Sequence, residues 1–210
     1  MKKLLTGLLT VPLLLSCVHT EPDQTYVSET NIQNVEKIFV GIPWLLGAEG
    51  SAVRLNEEWM VTAAHNALIM ELKLEEVYYH PTCDIAVYRD KGEGKSEVGN
   101  WNFGETLYSV GYPTLQHIKV REHKYLQNVT NPDHRYKNCV VAATEGKSTI
   151  GQSGGGVYND RNELVGIIHG TWKQLHNFDG SVNNEGGMLF TSLYVVQDWL
   201  YEITGEQYFE

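Results

Sequence analysis

The chain has 210 residues, 42% of them hydrophobic, and a formal net charge of −10 at pH 7. That is enough for one large domain or two small barrels sharing an interface, and disorder is not expected. Setting aside Lys2 and Lys3 with an N-terminal leader takes the charge to −12 (−10 less two), which argues against nucleic acid or an anionic lipid surface as the main partner, because both need basic patches.

Residues 1–16 read as a signal peptide: Lys2-Lys3 is a positive start and Leu4 to Leu15 an apolar stretch too short to span a bilayer comfortably. Leu14-Leu15-Ser16-Cys17 resembles a bacterial lipobox, which implies a lipidated Cys17, a membrane anchor and a place in the cell envelope, on its periplasmic or extracellular face. Ordinary secretory cleavage is the alternative, but Leu14 fits its small-residue site poorly. Residues 17–34 then read as the lipidated N-terminus and a polar tether.

The remainder reads as all-β. Glu36–Ile42, Ser51–Leu55, Trp59–Thr62, Lys73–Tyr79 and Ile85–Arg89 are rich in β-branched and aromatic residues, are separated by turn residues, and predict a first barrel over 35–90. A polar, glycine-containing connector follows over 91–104. Thr106–Gly111, Ile118–Leu126, Cys139–Ala143, Gly155–Tyr158, Glu163–His169 and Met188–Thr191 predict a second barrel over 105–191. Ser192 is the expected N-cap of a helix over 192–204, with Leu193, Val196, Trp199, Leu200 and Ile203 on one face.

Three stretches carry chemistry: Thr62-Ala63-Ala64-His65, Cys83-Asp84-Ile85-Ala86 and Gly151-Gln152-Ser153-Gly154-Gly155. A serine hydroxyl is a weak nucleophile at neutral pH. It needs an imidazole to take its proton, a carboxylate to hold that imidazole's tautomer, and N–H donors for the oxyanion. The order His, Asp, Ser is one of three in which unrelated folds build this site. The apolar neighbours of Asp84 suggest a buried carboxylate, which needs a partner.

With Gly50 to Val53, Trp59 to His65, His80 to Val87, Leu164 to Ile168 and Thr191 to Leu200, these motifs resemble the trypsin-like, chymotrypsin-fold serine proteases, in the style of bacterial glutamyl endopeptidases and HtrA-type members. The resemblance covers roughly residues 36 to 203. It implies a double Greek-key β-barrel with a C-terminal helix, and an endopeptidase with a polypeptide substrate. Catalytic residues would be His65, Asp84 and Ser153, with the Gly151 and Ser153 N–H groups as oxyanion hole, and no metal or other cofactor. Only nineteen residues separate His65 from Asp84, so the first barrel should be trimmed. Gln152 stands where trypsin-like zymogens carry an aspartate, so the oxyanion hole should form without insertion of a new N-terminus. Lys147 and His169 fall where the family lines its primary specificity pocket and would suit an acidic side chain. His80, His117, His123, His134 and His176 show no metal-ligand spacing and read as structural or exposed. Cys83 and Cys139 can form at most one disulfide; the resemblance places them in different barrels, and two buried free thiols are expected. A catalytically silent binding module and an esterase or acyl transferase on the same site are the rival readings. The oligomeric state is left open.

Overall fold

The computed structural model describes residues 26–42, 46–73, 76–177 and 179–209. Cys17 and the leader lie outside them. Among the described residues no helix is long and apolar enough to cross a membrane.

The first half begins with a short helix, α1 (Glu29–Gln33), followed by β1 (Val35–Ile42), β2 (Leu46–Arg54) and β3 (Trp59–Thr62). After a 3-10 turn at Ala64–Asn66 come α2 (Ala67–Lys73), β4 (Val77–Tyr79) and β5 (Ala86–Arg89). The strands form one antiparallel sheet in the order β1-β2-β3-β5-β4. The expected first barrel is therefore an open five-stranded sheet among the described residues. Among the described residues the span from His65 to Asp84 holds the end of the 3-10 turn, α2 and a three-residue strand.

All four residues of β3 are buried, because the sheet is covered on both faces. Trp59 and Val61 of β3, with Ile85 and Val87, point into the main core, while Met60, Ala86 and Tyr88 pack with Ala64 and with Met70 of α2. Of the expected strand Lys73–Tyr79, the described residues give Lys73 to α2 and Val77–Tyr79 to β4. Residues 67–73 are mostly strong helix formers, and coiling places buried Ile69 and Met70 over the sheet.

The second half holds β6 (Thr106–Gly111), β7 (Lys119–Thr130), β8 (Val140–Glu145), β9 (Gly156–Tyr158) and β10 (Leu164–Trp172). A minor hairpin of β11 (Leu175–His176) and β12 (Val182–Asn183) precedes β13 (Gly187–Ser192). Six of these close into a barrel in the order β10-β13-β8-β7-β6-β9. Ser192 is not the expected N-cap: it ends β13, its Oγ accepting from Tyr194 N (3.2 Å), a 3-10 turn at Tyr194–Val196 follows Leu193, and the helix proper, α3 (Gln197–Thr204), starts later, after Val196. Leu193, Val196 and Leu200 are buried, and Trp199 and Ile203 pack against the same core. That core is continuous: Val53, Val61 and Ile85 of the first half share it with Val110, Val141, Ile167 and Leu189 of the second.

Two expectations are corrected here. The tether was read as running to about Asn34, yet the chain is docked from Tyr26 on. Tyr26 stacks on Tyr108, and Val27 and Ile32 are buried. Ser28 N donates to Asn162 Oδ1 (2.6 Å) and Asn31 Nδ2 to Asn162 O (2.6 Å). Two buried apolar side chains and satisfied polar groups outweigh the polar composition that suggested a tether. Second, Cys83 and Cys139 are not free thiols. They form a disulfide with a Cα–Cα distance of 5.0 Å. Each lies at the edge of its own half, Cys83 ahead of β5 and Cys139 ahead of β8, and the packed halves bring the two edges together.

The bond closes a sequence separation of 56 residues, for which restriction of the unfolded chain predicts stabilisation toward the upper part of the usual range of about 2–5 kcal/mol. Replacing both cysteines by alanine is expected to lower the unfolding free energy by about 3–5 kcal/mol, measured by chemical denaturation. Equal stability would mean that the cross-link constrains nothing the core does not already hold.

Candidate active site

Four segments meet where the two halves join. The 3-10 turn after β3 carries His65, the turn before β5 carries Asp84, the loop before β9 carries Ser153, and β10 carries His169. Asp84 has no exposed surface. Its Oδ1 accepts the backbone N–H of His65 (2.8 Å) and its Oδ2 accepts Nδ1 of the same residue (2.6 Å). A second imidazole, that of His169, bonds through Nδ1 to the same Oδ2. An ionised carboxylate only accepts, so both Nδ1 atoms carry the protons, and in the neutral rings both Nε2 atoms are bare. The two rings stand edge to face with centroids 5.9 Å apart, and Tyr136 lies edge-on beyond His169.

Burial alone would raise the pKa of Asp84, but the hydrogen bonds from His169 and His65, and the positive charge those rings can carry, win and hold it well below the usual carboxylate range. Burial and then the Asp84 charge push the Tyr136 hydroxyl upward. The donor atoms of His65, Asp84 and His169 lie within 4.8 Å of one another, a set that could hold a metal ion. The 2.6 Å contact is nonetheless a hydrogen-bond separation, well short of the roughly 3.3 Å between ligands of a tetrahedral zinc.

Ser153 is partly buried and is held by its carbonyl. Ser51 N of β2 donates to it (2.8 Å), and so does Asn66 Nδ2 (3.0 Å), the residue following His65. Asn66 is fixed in turn by Thr62 Oγ1 (3.1 Å), which donates to Ser51 O (2.7 Å). Ser51 Oγ bridges the halves as well, accepting from Tyr112 N (2.9 Å) and donating to Gly151 O (3.1 Å). The loop bearing Ser153 is thus tied to the segments that bear His65.

The glycines of this loop are needed for two reasons. Gly151 and Gly154 have φ of +94° and +86°, in the left-handed region that costs other residues energy. There is also no room: a Cβ on Gly154 would sit 2.0 Å from Ser51 O, and one on Gly151 would sit 2.5 Å from Thr114 N. Gln152 is fully buried and folds onto its own loop, Oε1 accepting from Thr149 N (2.8 Å) and Thr149 Oγ1 (3.0 Å). Its Nε2 has no partner among the described residues. Among the same residues no acceptor meets the N–H groups of Gly151 or Ser153, so both are free to bind an anion.

The pocket candidates separate. Lys147 is exposed, its stem lying over Gly186, while Arg121 donates to its carbonyl (3.0 Å). His169 is turned to Asp84 and makes no hydrogen bond to Lys147 among the described residues. Sequence reasoning missed Ser51, Asn66 and Tyr136, and missed that His169 faces the carboxylate. Alternation along β10 could not have placed His169, because the strand's register shifts between Ile168 and Gly170.

No family model matches the sequence, and no curated protein does. Among solved structures the chain resembles the Rv3671c protease from M. tuberculosis in its active form, with a TM-score of 0.62 and 16% identity over 86% of this chain and 85% of that one. It also resembles the HtrA-type protease AlgW with tripeptide (0.60, 14%, 84% of this chain and 62% of that one). A third likeness is to the MamO protease domain from Magnetospirillum magneticum in its apo form (0.57, 15%, 82% and 98%). The chain has the chymotrypsin-like protease fold.

A carboxyl whose folded pKa is depressed contributes stability at pH values above its unfolded pKa, about 3.9, and that contribution is lost as pH falls toward the folded value. Asp84 is such a group. Urea unfolding from pH 6 down to pH 3 should therefore show a steeper acid loss of stability in the native chain than in Asp84→Asn. Parallel curves would contradict the hydrogen-bonded, ionised state of Asp84.

Proposed function

We propose that this chain is a serine endopeptidase that hydrolyses peptide bonds through His65, Asp84, Ser153 and an acyl-enzyme. The observation that carries the reading is the buried Asp84 carboxylate, which holds both the backbone and the ring of His65 while the next residue, Asn66, grips Ser153. Ser153 Oγ attacks the substrate carbonyl and its proton passes to Nε2 of His65. The resulting oxyanion sits on the N–H groups of Gly151 and Ser153. His65 then protonates the leaving amine, and water, deprotonated by the same imidazole, frees the acid. Asp84 keeps the ring in the tautomer with Nδ1 protonated and stabilises the imidazolium. Likeness to proteases, one of them holding a tripeptide, supports a polypeptide substrate.

The reading extends to export and a lipid anchor at Cys17. Residues 18–25 separate that cysteine from the first described residue, Tyr26. Eight residues reach at most about 28 Å, so the catalytic domain would work close to the membrane face. Mass spectrometry of the mature protein should find acylated Cys17 at its N-terminus and detergent partitioning that Cys17→Ser abolishes. An unmodified N-terminus elsewhere would refute the anchor.

Covalent labelling by a fluorophosphonate tests the site itself. The native chain should label and Ser153→Ala should not, with melting temperature nearly unchanged. Asp84→Asn should lower turnover by about four orders of magnitude, because an amide can leave the imidazole facing the wrong way. A peptide-library digest separates a peptidase from an esterase, and full activity in Ser153→Ala would end the proposal.

A further inference from the structure

We propose that His80 is the positioning residue for Asp84, acting through an unprotonated Nδ1 that holds the turn on which the carboxylate rides. Its consequence for catalysis rests on the protease reading; its effect on Asp84 does not. Nδ1 of His80 accepts from Cys83 N (2.9 Å) and from Thr82 N (3.2 Å). The backbone N–H of His80 donates to Ile85 O (3.0 Å), and Ile85 N donates to Cys83 O (2.9 Å). His80 therefore fixes both ends of the segment His80-Pro81-Thr82-Cys83-Asp84-Ile85. A side-chain acceptor that takes the N–H groups two and three residues on does what Asn or Asp does in an Asx turn. Pro81, which has no N–H to satisfy, fixes the first step of the turn.

A ring nitrogen that accepts two N–H groups cannot itself carry a proton, so the neutral ring is protonated at Nε2. The ring stands edge-on to Trp199 of α3, centroids 5.1 Å apart, which ties the turn to the second half of the molecule. Burial pushes the His80 pKa below its usual value. The ionisable groups on the elements that meet here are Tyr79 and Asp84 on its own segment and Asp198 and Glu202 on α3, and none of them contributes to that shift. Protonating Nδ1 would turn an acceptor into a donor facing two donors. The turn would lose both bonds, and Asp84 would lose its place against His65.

Two substitutions separate this from general packing. His80→Asn keeps an oxygen for the same two N–H groups and cannot take a proton. His80→Phe keeps a ring against Trp199 and has no acceptor. The first readout is the low-field NMR resonance of the proton between His65 Nδ1 and Asp84, which needs no turnover. It should persist in the native chain and in His80→Asn, and be shifted or lost in His80→Phe. Turnover is the second readout. His80→Phe should lose about tenfold to a hundredfold in kcat with KM changed by less than about threefold, the size expected of a misplaced catalytic group. His80→Asn should stay within about threefold of native. The acid limb of kcat/KM should fall more steeply in the native chain than in His80→Asn, because the native chain gains a second inactivating proton. If the native chain cleaves no peptide, the protease reading fails, while the low-field resonance still decides the role of His80. An unchanged resonance in folded His80→Phe overturns the proposal. Should that variant not fold, a resonance with the same pH dependence in the native chain and in His80→Asn overturns it equally.

Discussion

A carboxylate with no exposed surface cannot remain ionised without hydrogen bonds, and the architecture around Asp84 follows from that requirement. Three donors meet it: the His65 N–H, the His65 ring and the His169 ring. They come from two halves of the molecule, since His65 follows β3 and His169 lies on β10. The sheet and the barrel must therefore sit in one fixed relation before Asp84 is satisfied. Stranding the charge by moving either half would cost several kcal/mol, a large part of the net stability of a domain this size.

Several features work against such movement. The core runs without a break through both halves. Ser51 of β2 makes two bonds across the junction, one to Tyr112 just after β6 and one to Gly151 on the loop that bears Ser153. The disulfide lies one residue from Asp84 and joins the turn before β5 to the approach to β8. A covalent link at that point limits how far the carboxylate can travel relative to the barrel. It acts on the same short segment that the His80 ring and backbone hold from the other end.

Where one residue type alone fits a local role, that role could be read from the chain. The all-β character, the strand Trp59–Thr62, the strand Thr106–Gly111 and the glycines around Ser153 belong to this class, because burial on two faces and positive φ each demand a narrow set of side chains. Where the role depends on what lies opposite, the chain is silent. Cys83 and Cys139 read as thiols because the resemblance places them in different barrels, and only packing of the halves brings them together. Residues 26–34 read as a tether because their composition is polar, yet Asn162, more than a hundred residues on, supplies the partners that fold them. The helix α2 is seven residues of mostly good helix formers, too short for a helical period to stand out, and only the covered sheet face decides which side it buries.

His169 shows most sharply why placement outranks composition. As a residue near a specificity pocket it suggests a cation for an acidic substrate; as a neighbour of Asp84 it shares an oxygen with the His65 ring. One carboxylate cannot equally stabilise two imidazolium ions. While His169 is neutral, its Nδ1–H donates a hydrogen bond that stabilises the charged carboxylate and leaves room for the positive charge that His65 would gain in the proposed reaction. The two rings are thus coupled through Asp84. In the protease reading, the hold on the His65 ring belongs to a carboxylate oxygen that it shares with His169, and not to the His65–Asp84 pair alone.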